Sequence, residues 1–192
     1  ERVLRNFLEW IKDDVPYGAK VLDAGCGFGF LLNLCESYGW EAYGIDISKY
    51  AINRAKKYTK ALLSCQDIEK TSFTHEFFNA VLLFDVIEHL KSPFNALKEV
   101  RRILKNGGVL TIHTPNVNAI GRRFDSLLHR EWFGVKDSTH IYLFTPFSLK
   151  ILVNRSGFET IKVETPFKPF PKPLSLGRSG LGGAIWLMAR KK

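Results

Sequence analysis

The stretch Val21-Leu22-Asp23-Ala24-Gly25-Cys26-Gly27-Phe28-Gly29 runs from a short apolar strand, through an acid, into a glycine-rich turn. Apolar residues then recur at helical spacing, Leu31, Leu32, Leu34, Cys35 and Tyr38, so the turn opens a helix. Glycines let a backbone come close to a ligand and present amide groups toward it. A lone glycine turn is weak evidence, but Asp46 stands 21 residues beyond Gly25, at the end of the next strand, Tyr43-Gly44-Ile45-Asp46. A carboxylate there can accept both hydroxyl hydrogens of a ribose. Strand, turn and distant acid together imply an adenosine-bearing ligand.

Outward from this stretch the chain alternates strand and helix. Upstream, Val3, Leu4, Phe7, Leu8 and Ile11 keep helical spacing before the turn at Pro16-Tyr17-Gly18. Downstream, Ser48 is placed to cap a helix over Ala51 to Lys57. Ala61 to Ser64 predicts a short strand, and Ala80 to Phe84 one that is apolar on both faces, as central parallel strands are. Ser92-Pro93 reads as a cap with proline at the first helical position, and Asn106-Gly107-Gly108 as the stop of that helix. A strand over Val109 to His113 follows, then a capped helix over Phe147 to Arg155 and strands over Phe158 to Glu164 and Ala184 to Ala189. This order predicts an α/β fold with a mostly parallel, doubly wound sheet. Residues 115–144 fit neither period and are long for a plain connection; they are expected to form a lid over the site.

The chain has 192 residues, 45% apolar and 24% charged, the composition of one globular domain spanning 1–192. Three cysteines without C-x2-C spacing suggest neither a disulfide framework nor structural zinc, and fit a reducing compartment. With no apolar run of ~18 residues and no apolar core of a signal peptide, a soluble, cytoplasmic protein is expected. The first residue is Glu rather than Met, which suggests a sequence that begins inside a longer chain. Charge is uneven: residues 1–114 hold 15 Lys and Arg against 14 Asp and Glu, and residues 115–192 hold 13 against 5. Such a basic second part draws in a phosphate-bearing substrate, an anionic membrane surface or nucleic acid, or simply serves solubility.

The glycine spelling G-x-G-x-G, with an acid two positions before it, departs from the dinucleotide fingerprint G-x-G-x-x-G. It resembles class I S-adenosylmethionine-dependent methyltransferases. Val21 to Gly29 is similar to their first motif, Gly44-Ile45-Asp46-Ile47-Ser48 to their second, and Gln66-Asp67-Ile68 to the adenine-side element. Phe78-Asn79-Ala80-Val81 through Phe84-Asp85-Val86-Ile87-Glu88-His89-Leu90 resembles the fourth-strand motif, and Leu104 to Leu110 the approach to the fifth strand. Asn79 stands where aspartate is more usual, with little consequence expected. Glu88-His89-Leu90 and His140-Ile141-Tyr142-Leu143-Phe144-Thr145 resemble the small-molecule branch, which includes ubiquinone-biosynthesis O-methyltransferases and methyltransferases of sugar, glycan and lipid pathways.

The resemblance implies a Rossmann-like, seven-stranded sheet whose last strand, Ala184 to Ala189, inserts antiparallel, and S-adenosylmethionine as cofactor. Asp23 would supply charge near its amino-acid end, with Gly25, Cys26, Gly27, Phe28 and Gly29 beside it. Asp46 would hold the ribose, Asp67 would accept from the adenine amino group, Ile47 and Ile68 would sandwich the ring, and Phe84 and Asp85 would line the floor. A hydroxyl acceptor has to lose a proton, for which His89 and His140 are the first candidates. His113 could face the crevice or the core, whereas His75 and His129 read as surface residues. Arg122, Arg123, Arg130 and Trp132 would help form the entrance for a small, anionic or lipid- or sugar-linked acceptor. Asp85 and Glu88 could be paired carboxylates or a magnesium site, but spacing shows no third ligand, and no metal is expected. The rival readings are an RNA-directed methyltransferase, a nucleic-acid or membrane-binding module that keeps the cofactor fold, and a nicotinamide-dependent dehydrogenase. The loop spelling disfavours the last. Peripheral membrane attachment would use Phe124 to Phe133 or Phe167 to Leu176.

Overall fold

One sheet organises the chain, with strand order β3-β2-β1-β4-β5-β7-β6. The strands are β1 (Lys20–Ala24), β2 (Glu41–Asp46), β3 (Leu62–Cys65), β4 (Phe78–Phe84), β5 (Leu104–Pro115), β6 (Phe158–Glu164) and β7 (Ala184–Lys191). The computed structural model describes residues 1–120, 137–166 and 180–192. Described α-helices are α1 (Arg2–Ile11), α2 (Phe30–Ser37), α3 (Lys49–Ala55), α4 (Pro93–Ile103) and α5 (Pro146–Arg155). Neighbouring strands from β3 to β5 are parallel, and β7 runs antiparallel between β5 and β6. The antiparallel insertion therefore stands as the resemblance implied. Order reverses between β1 and β4, which places the ligand crevice beyond the carboxyl ends of those strands.

The sheet is buried on both faces, and the alternation along β4 shows how. Ala80 and Leu82 join a cluster built with Phe7, Leu8 and Ile11 of α1 and Leu31, Leu32 and Cys35 of α2. Val81 and Leu83 point the other way, into a cluster with Leu97, Val100 and Ile103 of α4 and Leu149 and Val153 of α5. Gly44 on β2 is packed tightly under the first of these clusters. A Cβ there would meet Leu32 Cδ1 at 2.5 Å, Leu63 Cδ2 at 2.7 Å and Cys26 Sγ at 3.0 Å. Gly44→Ala is expected to cost about 1–3 kcal/mol by overpacking, read as a lower midpoint in chemical denaturation with an unchanged slope.

Local signals hold in part. The Ser48 hydroxyl accepts from Ala51 N at 3.2 Å, and Thr145 with Ser148 forms a capping box at the start of α5. Ser92 differs, because its side chain makes no capping bond. Its backbone N–H instead donates to Glu69 Oε1 at 3.0 Å, and Pro93 at the first position needs no partner for an N–H. The fourth helix ends at Ile103, before the glycine pair. Glu76 N and Phe77 N donate to Arg102 O and Ile103 O, and Leu104 pairs with Phe78, so sheet pairing takes over from the helix there. Asn79 accepts from Lys20 N at 3.0 Å and Lys105 Nζ at 3.2 Å, a tie at the amino-terminal end of the sheet, away from the crevice. Among the described residues, no helix is long and apolar enough to cross a membrane.

Candidate active site

Beyond β1 the chain turns through Gly25, Gly27 and Gly29, all at positive φ (84°, 51° and 81°), where side chains are strained and glycine is not. Gly25 has a second constraint, since a Cβ would stand 2.4 Å from Val86 Cγ2. The loop is thus pressed against the segment that follows β4.

Its amides are engaged within the chain. Gly25 N and Cys26 N donate to Ile45 O at 2.7 and 2.9 Å, and Gly29 N donates to Cys26 O at 2.9 Å. Gly27 N donates to Asp46 Oδ2 at 2.9 Å, while Asp46 Oδ1 accepts from Ser48 N at 2.8 Å. This corrects the expectation that the loop turns its amides toward a ligand: the end of β2 takes those of Gly25, Cys26 and Gly27. A ligand phosphate would look for a nest of such donors; this loop suits a ligand that asks for close approach and negative charge.

The negative charge stands next to it. Asp23 is 2% exposed, and burial together with the Asp46 carboxylate pushes its carboxyl up to about 7, with no cation or hydrogen bond among the described residues opposing them. Cys26 is buried, and burial pushes its thiol well up, so it fills space rather than acting as a nucleophile. Ile47, just past Asp46, is 76% exposed. Gln66 N donates to Asp46 O at 3.1 Å, which sets the next residue, Asp67, beside β2. Asp67 is exposed and accepts from Glu69 N at 2.9 Å. Ile68 instead is buried in the core, whereas Ile47 is on the surface. Phe28 is half-exposed, with Phe30 and Tyr50 edge-on to its ring.

The carboxyl end of β4 carries a second group of side chains. The Phe84 ring stacks on the His113 imidazole with centroids 4.0 Å apart, and Phe7 packs edge-on to both. Asp85 adopts φ 53°, in the left-handed region, where a non-glycine residue costs about 1–3 kcal/mol. That turn brings Asp85 Oδ1 to 2.7 Å from His113 Nδ1. A carboxylate accepts only, so Nδ1 carries the proton and Nε2 is the acceptor. Register placed this pair: Phe84 lies opposite His113, a proximity that aligning the fourth and fifth strands in the sequence would have suggested.

Three residues beyond Asp85, Glu88 is 1% exposed. Its Oε2 accepts from Thr114 Oγ1 at 2.9 Å, Oε1 has no hydrogen-bond partner among the described residues, and burial pushes the carboxyl up to about 7. The Glu88 carbonyl accepts from Ile141 N and Tyr142 N at 2.9 and 3.0 Å, pinning the segment after residue 137 across the carboxyl end of β4. His89 and His140, 51 residues apart, come together with ring centroids 4.7 Å apart. The remaining sequence candidates, Arg122, Arg123, Arg130 and Trp132, lie outside the described residues, as do His129 and the segments 124–133 and 167–176.

Residues 1–163 match the family described as "Methyltransferase domain". The chain belongs to that family. Its cofactor is S-adenosylmethionine. The chain is 30% identical over 117 residues to ubiquinone biosynthesis O-methyltransferase of Coxiella burnetii, covering 58% of this chain and 50% of that protein. It is 28% identical over 171 residues to the protein of the same name in Cereibacter sphaeroides, covering 84% and 69%. The chain thus spans about half the length of the Coxiella relative. A SAM-dependent methyltransferase from Archaeoglobus fulgidus has the same fold, with TM-score 0.74 and 22% identity over 98% of this chain and 93% of that one.

The methyltransferase site fits this cofactor on its own observations. S-adenosylmethionine carries a sulfonium and an ammonium and no phosphate, matching a loop whose Gly25, Cys26, Gly27 and Gly29 amides are occupied and a buried acid, Asp23, with no cation beside it among the described residues. Asp46, at the end of β2, is held by two backbone donors, one on each carboxylate oxygen, and each oxygen keeps a further lone pair for a ribose hydroxyl.

Proposed function

We propose that this methyltransferase methylates a hydroxyl oxygen of a small-molecule acceptor held between the carboxyl ends of β4 and β5 and residues 137–144. When bound, S-adenosylmethionine supplies an activated methyl carbon on a sulfonium. The chain's own work is to position the acceptor and to take its proton. Positioning accounts for up to about 7–11 kcal/mol in favourable cases, and a general base adds ~10²–10⁴-fold.

The observation that carries the reading is the Asp85–His113 pair at 2.7 Å. Asp85 fixes the proton on Nδ1, and Nε2 is left basic, the arrangement in which an acid orients a histidine for proton abstraction. The names of the relatives at 28–30% identity support an oxygen acceptor, and the net charge of +8 on residues 115–192, from 13 basic and 5 acidic side chains, favours one that carries negative charge.

The test is product analysis by mass spectrometry with phenol, catechol, polyol and amine acceptors, anionic and neutral. An O-methylated product from an anionic hydroxyl acceptor is expected. His113→Ala is expected to lower kcat by ~10²–10⁴-fold while the cofactor Kd stays within twofold. Methylation at nitrogen alone, or a His113→Ala enzyme as fast as wild type, contradicts the proposal.

A further inference from the structure

Glu88, His89 and His140 are three metal-ligand types whose donor atoms all lie within 4.8 Å of one another. We propose that they bind a divalent first-row transition ion at the carboxyl end of β4, with an open face toward the acceptor. This revises the sequence expectation of no metal. The spacing of Asp85 and Glu88 showed no third ligand because His140 lies 52 residues beyond Glu88, carried in by the Ile141 and Tyr142 amides that donate to Glu88 O.

Three features of the chain prepare the cluster. Glu88 Oε1 is buried with no hydrogen-bond partner among the described residues, and its sister oxygen is held by Thr114. A buried carboxylate oxygen without a partner is rare in a folded protein and asks for an explanation, an ion being one. His89 Nδ1 stands 3.1 Å from Thr139 O and 3.0 Å from Thr139 Oγ1. The carbonyl accepts only, so Nδ1 carries the proton, and the lone pair is on Nε2. Thr139 Oγ1 in turn donates to Asp137 Oδ1 at 2.6 Å. A ligating histidine whose second nitrogen donates to a carbonyl, backed by a carboxylate, is the usual outer support of a metal site.

Donor chemistry selects the ion. Two imidazoles and one carboxylate suit zinc, iron, cobalt or nickel, whereas magnesium and calcium prefer oxygen alone. Bonds of about 2.0–2.2 Å set donors on a tetrahedral ion about 3.3–3.6 Å apart, so a pair at the 4.8 Å limit closes by roughly 1.2–1.5 Å through side-chain torsion. Three protein ligands leave the remaining positions for solvent or substrate.

Its role rests on the proposed O-methylation; its existence does not. An acceptor hydroxyl bound at the open face would lose its proton more readily, as metal-bound water does, and the proton would pass to a base or to solvent. The substrate class narrows accordingly to acceptors that present oxygen donors to a metal, such as hydroxyls on adjacent carbons.

The test uses chelator-stripped protein without cofactor or acceptor, in a Cys65→Ser background because Cys65 is an exposed thiol. Calorimetry with Zn2+ is expected to show one site per chain, Co2+ to give visible d–d absorption, and Mg2+ to compete at neither. His89→Ala and His140→Ala are each expected to weaken Zn2+ binding at least tenfold, with melting temperatures of the metal-free proteins near that of the parent. Glu88→Gln, which keeps an acceptor for Thr114, is expected to weaken it similarly. Absence of Zn2+ binding, or binding unchanged in His89→Ala and His140→Ala, overturns the inference. Failure to find an O-methylated product would overturn the proposed function and leave a measured metal site standing.

Discussion

Asp46→Ala is expected to weaken S-adenosylmethionine binding at least 100-fold while the protein stays folded. In the free protein the Asp46 carboxylate ties Gly27 N at 2.9 Å and Ser48 N at 2.8 Å, so it shapes the glycine loop and, on the proposed cofactor assignment, would also hold the ribose. A hydrogen bond to a charged group is worth about 1.5–3 kcal/mol net. Losing two to the ribose hydroxyls therefore amounts to ~3 kcal/mol or more, which is the 100-fold. Releasing Gly27 adds to the loss, because the loop then has to be ordered at the moment of binding. Asp46→Asn keeps one acceptor oxygen but turns an amide donor toward a backbone N–H, and its affinity is expected between the two. Calorimetry on proteins with matched far-UV spectra reads the result; an Asp46→Ala affinity within threefold of wild type contradicts it.

Asp23→Asn is expected to have opposite effects on stability and on binding. In the folded protein the Asp23 carboxyl sits at about 7, against ~3.9 in an unfolded chain. Below pH ~4 both states are protonated and Asp23 costs nothing. Between pH ~4 and ~7 the unfolded chain has lost the proton and the folded protein keeps it, so stability falls as pH rises; above ~7 the penalty is complete, up to about 4 kcal/mol. The groups that face Asp23 do not relieve it: Asp46 raises its carboxyl further, and the Cys26 and Cys35 thiols are themselves pushed up and neutral. The cofactor-free Asp23→Asn protein is therefore expected to melt above wild type at pH 8 and close to it at pH 4. Cofactor affinity at pH 8 is expected to fall at least tenfold, since the charge opposite the ammonium is gone. Wild-type binding near pH 6.5 should also release up to about three quarters of a proton, seen as a dependence of the calorimetric heat on buffer ionisation enthalpy. A variant that is less stable at pH 8 and binds equally well contradicts the assignment of Asp23.

Much of this molecule is legible in its sequence, for reasons that differ by region. Short apolar runs between turn residues, with helical spacing between the runs, marked every strand of the sheet, because central strands such as β4 are buried on both faces and the flanking turns carry glycine or proline. Edges moved where pairing outweighed propensity, as at Leu104, which enters the sheet opposite Phe78 before the glycines that read as the helix stop. At the cofactor end, the glycine spelling and Asp46 located the loop correctly in the fold, yet which partners its amides choose is a matter of three-dimensional competition that spacing does not encode. The acceptor end was least legible. His113 meets Asp85 through strand register, and His140 meets His89 only because Ile141 and Tyr142 bond to Glu88. Residues far apart in the chain and joined by backbone hydrogen bonds leave no periodic trace.

The most direct measurement is a crystal structure of the protein grown with S-adenosylhomocysteine. The ribose hydroxyls are expected within hydrogen-bonding distance of Asp46, the amino group beside Asp23, and the sulfur directed toward the carboxyl end of β4 and His113. A ligand seated anywhere other than the Gly25 to Gly29 loop, or a ribose that leaves Asp46 bonded only to Gly27 and Ser48, would contradict the assignment of this loop and its acid as the cofactor site.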